Sequence, residues 1–105
     1  ARLIAFRDAG ADVLYAPGVR TAAEIRAVVE AVGAPVNGLA KPGTPSIPEL
    51  ADLGVARVST GSMLARAAYG ALADATREIF GPGTQSYAAR LLDDALAKAA
   101  FGPKG

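Results

Sequence analysis

ADVLYAPGVRTAAEIRAVVEAVGAPVNGLA, residues 11–40, decides the fold. Val13, Leu14 and Tyr15 form a short apolar run closed by Pro17-Gly18, the pattern of a buried strand in a parallel sheet. Thr21 and Glu24 then make a capping box, in which the hydroxyl accepts from an early backbone NH and the carboxylate reaches back. Ile25, Val28, Val29 and Val32 fall at i, i+3, i+4 and i+7, one face of a helix that Gly33 ends. PVNGLA, residues 35–40, reads as a second short strand. Strand, helix and strand in this order imply a right-handed βαβ unit with parallel pairing.

The rhythm continues in both directions. Upstream, ARLIAFRDA (residues 1–9) places Leu3, Ile4 and Phe6 near one helical face, with Gly10 where a C-terminal cap glycine belongs. Downstream, KPGTPS (41–46) is loop, and Ser46 with Glu49 forms a second capping box with Pro48 in the first turn. Leu50 and Leu53 point inward, Gly54 stops this helix, and residues 55–59 form a third strand. A long helix over 63–80 carries Met63, Leu64, Ala67, Ala71, Leu72, Ala75 and Ile79 as its apolar stripe. Gly81-Pro82-Gly83 breaks the chain, and residues 84–100 read as one last helix bearing Tyr87, Leu91, Leu92 and Leu96, with Asp93 and Asp94 on its wet side. The tail FGPKG is expected to fray. Three parallel strands with two raw edges make an unusual isolated domain. A partial barrel explains the pattern better than a complete doubly wound sheet. The chain also opens at Ala1 in mid-pattern, and the expectation is a piece of a longer protein.

Composition narrows the chemistry. Eleven basic and ten acidic residues leave a net charge of +1, which argues against a nucleic-acid binder. The 51% hydrophobic content is too high for a disordered chain. With no cysteine and no histidine, disulfides, thiolate zinc sites and the commonest general base are absent. No apolar run reaches the about 20 residues of a membrane span. The cytoplasm is the expected compartment.

In parallel α/β folds, functional groups gather just beyond the C-terminal strand ends. Arg20, after the first strand, either contacts an anionic substrate through its planar fork or is a solvated arginine before a helix. Asn37, with Gly38 beside it, offers donor and acceptor to a carboxylate or carbonyl oxygen; alternatively it satisfies a neighbouring loop. Lys41 follows in the loop. Ser59, Gly61 and Ser62 open the long helix, where free NH groups and the helix dipole favour an anion, although simple capping uses the same residue types. Arg57 either points into a barrel, needing a partner, or faces a helix and snorkels. No acidic cluster sits at a strand end, so neither a catalytic residue nor a metal ligand is assigned within this chain.

The runs AGADVLYAPGVRTAAEI (9–25) and PVNGLAKPGTPSIPELADLGVARVSTGSMLARAAYGAL (35–72) closely resemble the isocitrate lyase/phosphoenolpyruvate mutase superfamily, especially its small 2-methylisocitrate lyase-like or phosphoenolpyruvate mutase-like branch. The resemblance covers nearly the whole chain but only the C-terminal third or so of the family's sequence. It implies the last three βα units of a (β/α)8 barrel, with the helix at 84–100 as an element that exchanges between subunits in homodimers or homotetramers. It implies magnesium-dependent chemistry on a small 2-oxo acid or its enolate, by C–C cleavage or phosphonate-type transfer, with the metal ligands outside this segment. Asn37 matches a strand asparagine that contacts substrate in methylisocitrate lyases, and positions near Pro17 and Ser59 line the same mouth. Where those lyases have a glutamate, this chain has Ala16-Pro17-Gly18, which argues against methylisocitrate lyase activity itself and leaves the substrate open.

The resemblance thus makes the chain a C-terminal part of an enzyme, inactive by itself. Two rivals come from other classes: a non-catalytic oligomerisation module, and the phosphate-binding portion of an unrelated barrel that uses Ser59 to Ser62.

Overall fold

The computed structural model describes residues 1–102. Its elements are α1 (Arg2–Asp8), β1 (Leu14–Tyr15), α2 (Ala22–Val32), β2 (Val36–Leu39), α3 (Ile47–Asp52), β3 (Arg57–Ser59), α4 (Met63–Phe80), a short 3-10 helix (Ser86–Arg90) and α5 (Asp94–Phe101). The three strands form one parallel sheet in the order β1-β2-β3. The expected α/β class and strand–helix alternation are therefore present. The chain divides into two units, Ala1–Leu64 and the segment from Ala65 onward.

In the first unit, β2 is the central strand. Leu14 pairs with Val36 and Tyr15 with Asn37; on the other side, Asn37 pairs with Arg57, Gly38 with Val58 and Leu39 with Ser59. Alternation along each strand sends Leu14, Val36 and Val58 to one face and Tyr15, Asn37 and Arg57 to the other. The first face carries the core. Leu14, Val32 and Val36 pack with Leu3, Val28 and Val29; Ile25, Leu50 and Leu53 pack with Val19, Val29, Val55 and Val58. The stripe read on α2 supplies both groups, and Val29 touches each.

Helix ends are fixed by local chemistry. Thr21 Oγ1 accepts from the Glu24 NH at 3.2 Å, and the Glu24 carboxylate accepts from the Thr21 NH at 2.9 Å. Ser46 and Glu49 do the same at the start of α3. Both predicted capping boxes exist. Arg7 Nη1 donates to the Val32 carbonyl at 2.6 Å, tying α1 to the last turn of α2. Gly54 ends the α3 turn with φ +87°, and a Cβ there would stand 3.0 Å from Val29 Cγ1. Any other residue there would be strained by the positive φ and would press against the Val29 methyl.

Three expectations need correction. The first strand is Leu14–Tyr15, one residue shorter than the apolar run Val13–Tyr15; it pairs on one side alone, with β2, and Pro17 has no NH with which to extend the ladder. The last helix is not continuous over 84–100. A 3-10 turn ends at Arg90, Leu91 is extended at φ −64°, ψ 151°, and Asp93 starts α5 as its N-cap, accepting from the Ala95 and Leu96 NH groups at 2.9 and 3.2 Å. A short acid competes for backbone NH groups and starts a helix more readily than it sits inside one. Phe101 lies within α5 rather than in a frayed tail; residues 103–105 of that expected tail fall outside the described residues.

In the second unit, Glu78 organises the turn after α4. Its carboxylate accepts from the hydroxyls of Thr84 (2.8 Å) and Ser86 (2.9 Å), the Tyr87 NH (3.1 Å) and the Ser86 NH. The apolar stripe read on α4 buries none of its side chains: Leu64 is 72% and Leu72 62% exposed. No helix among the described residues is long and apolar enough to cross a membrane.

Two predictions follow from this packing. Leu50 is fully enclosed, so Leu50→Ala is expected to lower stability by about 2–5 kcal/mol in urea titration. The Glu24 carboxyl is held below its ordinary value chiefly by the Thr21 NH, Glu49 by the Ser46 hydroxyl, and Glu78 by the Thr84 hydroxyl. Groups lowered on folding stabilise fully above the ordinary glutamate value, and that contribution is lost as pH falls through the folded value. Melting temperature should fall on acidification below about pH 4, and by less in the Glu24→Gln, Glu49→Gln double variant.

Candidate functional site

Asn37 is the one buried polar side chain among the described residues, only 3% exposed at the middle of the sheet. A buried carboxamide must be paired at both ends. Here both ends are met from β3. Arg57 Nη1 donates to Asn37 Oδ1 at 3.1 Å, and Asn37 Nδ2 donates to Ser59 Oγ at 2.9 Å. Parallel register makes this fit, since Arg57 stands opposite Asn37 and Ser59 two residues further toward the C-terminal end. Tyr15 completes the row from the other side, 42% exposed.

The arrangement is a donor-rich polar row on the sheet face opposite the α2–α3 core. The guanidinium of Arg57 is exposed, and among the described residues no carboxylate forms a salt bridge with it. Such a group suits an anionic ligand. A divalent metal fits poorly: the row offers an amide, a guanidinium and hydroxyls, and no three acidic side chains cluster anywhere among the described residues. The magnesium implied by the family resemblance therefore has no donor set in these residues. Tyr15 and Arg57 are exposed at the surface, while Asn37 between them is buried and Ser59 half-buried. A surface groove of this unit lies elsewhere, between Ala22 and Arg26 of α2 and Glu49 and Asp52 of α3.

The candidates read from sequence separate into two groups. Asn37 and Ser59 are brought together. Gly61 is close by, at φ +57°, where a Cβ would lie 3.6 Å from Leu39 Cδ1. Gly38 belongs to the opposite layer: a Cβ on it would meet Val55 Cγ1 at 3.1 Å and Leu50 Cδ2 at 3.6 Å. Its lack of a side chain serves helix packing. Arg20 is exposed, and its NH donates to the Glu24 carboxylate at 2.9 Å as part of the α2 cap. Ser62 is exposed, with no hydrogen bond to the row. Lys41 closes a loop turn, its NH donating to Thr44 Oγ1 at 3.0 Å. Ser59 holds Asn37 rather than capping α4.

Sequence reasoning left the direction of Arg57 open and counted Tyr15 as core. The missing information is register. Once Asn37 is set opposite Arg57, parity alone places Tyr15, Asn37, Arg57 and Ser59 on one face. A double-mutant cycle of Asn37→Ala and Ser59→Ala, read by denaturant unfolding, should show a coupling of about 0.5–1.5 kcal/mol, whereas Asn37→Ala with Thr76→Ala, whose hydroxyl bonds the Leu72 carbonyl and no group of the row, should be additive.

Comparison with known proteins gives the wider setting. Residues 1–80 match the phosphoenolpyruvate phosphomutase family. Uncharacterized protein Rv1998c of Mycobacterium tuberculosis (strain H37Rv) is 40% identical over 78 residues, covering 74% of this chain and 30% of the relative. The corresponding MT2054 of strain CDC 1551 has the same identity and coverage. A crystal structure from Burkholderia cenocepacia J2315, provisionally named a lyase/mutase, is 49% identical with a TM-score of 0.85, over 97% of this chain and 38% of that one. The chain thus spans 30% of the curated relatives' length and 38% of the solved structure's.

Proposed function

Because the chain belongs to the phosphoenolpyruvate phosphomutase family, within the isocitrate lyase/phosphoenolpyruvate mutase superfamily, we propose that it forms the last three βα units of a (β/α)8 lyase/mutase acting on a small 2-oxo acid. The observation that carries this reading is the Asn37–Arg57–Ser59 row. Strands in sequential order, with the α2–α3 core on one face and a paired polar row on the other, are what a wall of such a barrel requires. In that setting the row faces the enclosed centre.

The residues of this chain would bind and orient. Arg57 supplies positive charge to a carboxylate, and Ser59 with Asn37 supplies directional hydrogen bonds near the mouth. Magnesium, in this reading, is held by other parts of the whole protein. The chemistry is C–C cleavage or phosphonate-type transfer, and both develop charge on an oxygen beside the carboxylate.

A second reading concerns the segment from Ala65 onward. Leu72, Phe80, Leu96 and Phe101 are each more than half exposed, which favours assembly between copies through this segment. The proposed assembly is a homodimer or homotetramer. Sedimentation of the full-length protein should then show a dimer or larger, and a strict monomer would discard this reading.

The enzymatic proposal is tested with the full-length protein carrying this segment, supplied with magnesium and with 2-hydroxy tricarboxylates or phosphonopyruvate-type substrates. Release of pyruvate or another 2-oxo acid from the former, or isomerisation of the latter to an enol phosphate or its hydrolysis to pyruvate and phosphate, is expected, lost on chelation, and reduced about tenfold or more in kcat/KM by Asn37→Ala. No magnesium-dependent turnover of either substrate class would count against it.

A further inference from the structure

We propose that Arg57 is a positioning residue that sets the polarity of the Asn37–Ser59 pair, so that the Ser59 hydroxyl hydrogen is presented to an acceptor oxygen of the ligand. The inference rests on the 2-oxo acid reading above for its ligand, but its first step depends on this chain alone.

The argument is one of donors and acceptors. A guanidinium has five donors and no acceptor. The end of the Asn37 amide that meets Arg57 must therefore be Oδ1, as the 3.1 Å contact shows. That leaves Nδ2 toward Ser59, and Nδ2 can only donate, which it does at 2.9 Å. Ser59 Oγ is thereby an acceptor, so its own hydrogen points elsewhere, and no side-chain or backbone acceptor among the described residues receives it. The chain of bonds runs one way, from Arg57 through Asn37 to Ser59, and ends in a donor on the last residue of β3. A donor so placed selects a carboxylate or enolate-type oxygen, which only accepts, over a ligand NH.

Without Arg57 the carboxamide is free to turn over. Ser59 would then donate back to Oδ1, and the outward donor would be lost although every group stayed in place. Lysine, also a pure donor, would hold the same polarity where it reaches.

The test uses the full-length protein labelled with 15N at asparagine, with pyruvate as the probe and magnesium present, in four variants: Arg57→Lys, Arg57→Met, Ser59→Ala and the Arg57→Met, Ser59→Ala double variant. Without pyruvate, the Asn37 side-chain amide resonances, assigned by Asn37→Asp, should shift in Arg57→Met and hold in Arg57→Lys. With pyruvate, Ser59→Ala should weaken binding about tenfold in the parent and less than twofold in the Arg57→Met background. A folding defect would show as loss of the cooperative melt in the affected variant; where Arg57→Met fails to fold, Arg57→Gln, which is no longer a pure donor, takes its place, and unshifted Asn37 resonances in it would overturn the proposal equally. Unchanged resonances in Arg57→Met, or an equal Ser59→Ala effect in both backgrounds, would overturn the proposal. A parent that binds no pyruvate would overturn the 2-oxo acid reading, while the resonances would still decide the role of Arg57.

Discussion

A carboxamide in the middle of a sheet cannot be left half paired, and the pairing of Asn37 is the constraint on which the polar face of this protein depends. Burial of an amide without partners costs about as much as the loss of one or two hydrogen bonds. Arg57 and Ser59 meet it from the neighbouring strand, and they can do so only if β3 is in its observed register with β2. A shift of one residue would put Val58 opposite Asn37 and send Arg57 into the helix layer. The polar row and the apolar core thus specify the same register from opposite faces.

The helix side of the sheet is governed by close approach. Gly38 and Gly54 let α3, its following turn and α2 come near β2, so that Leu50 is fully enclosed and Val29 bridges both halves of the core. The capping boxes of Thr21 and Ser46 fix where those helices begin, and so where the loops after β1 and β2 must end. A rigid helix layer of this kind holds the strands while the opposite face carries polar groups, which is the division of labour expected of a βα-barrel wall.

Much of this was legible in the sequence, and the misses have physical reasons. Thr21–Glu24 and Ser46–Glu49 announced their helices because a capping box is a local signal that tertiary packing does not overrule. Asn37 and Ser59 stand out in the sequence because polar residues in or just after apolar strands need an explanation, and the structure pairs them with each other. Their contact with each other, and the part played by Arg57, were not legible, because register is a non-local property. The last helix was misread because Leu91, Leu92, Ala95 and Leu96 continue an apolar pattern across Asp93, while the break depends on the Asp93 cap and the Glu78-centred turn. Gly38 was grouped with Asn37 by adjacency, although alternate residues of a strand face opposite ways.

The proposed function joins these local facts, because a polar row on one face of a three-stranded parallel sheet would have a clear purpose inside a closed barrel. The central claim is that Asn37, Arg57 and Ser59 face the enclosed centre of a larger lyase/mutase. A crystal structure of the full-length protein tests it most directly. The account predicts β1, β2 and β3 as consecutive strands of one barrel, with the Asn37–Arg57–Ser59 bonds intact on its inner wall. A structure in which that face of the sheet is packed under helices, or is left on the outer surface of the protein, would contradict it.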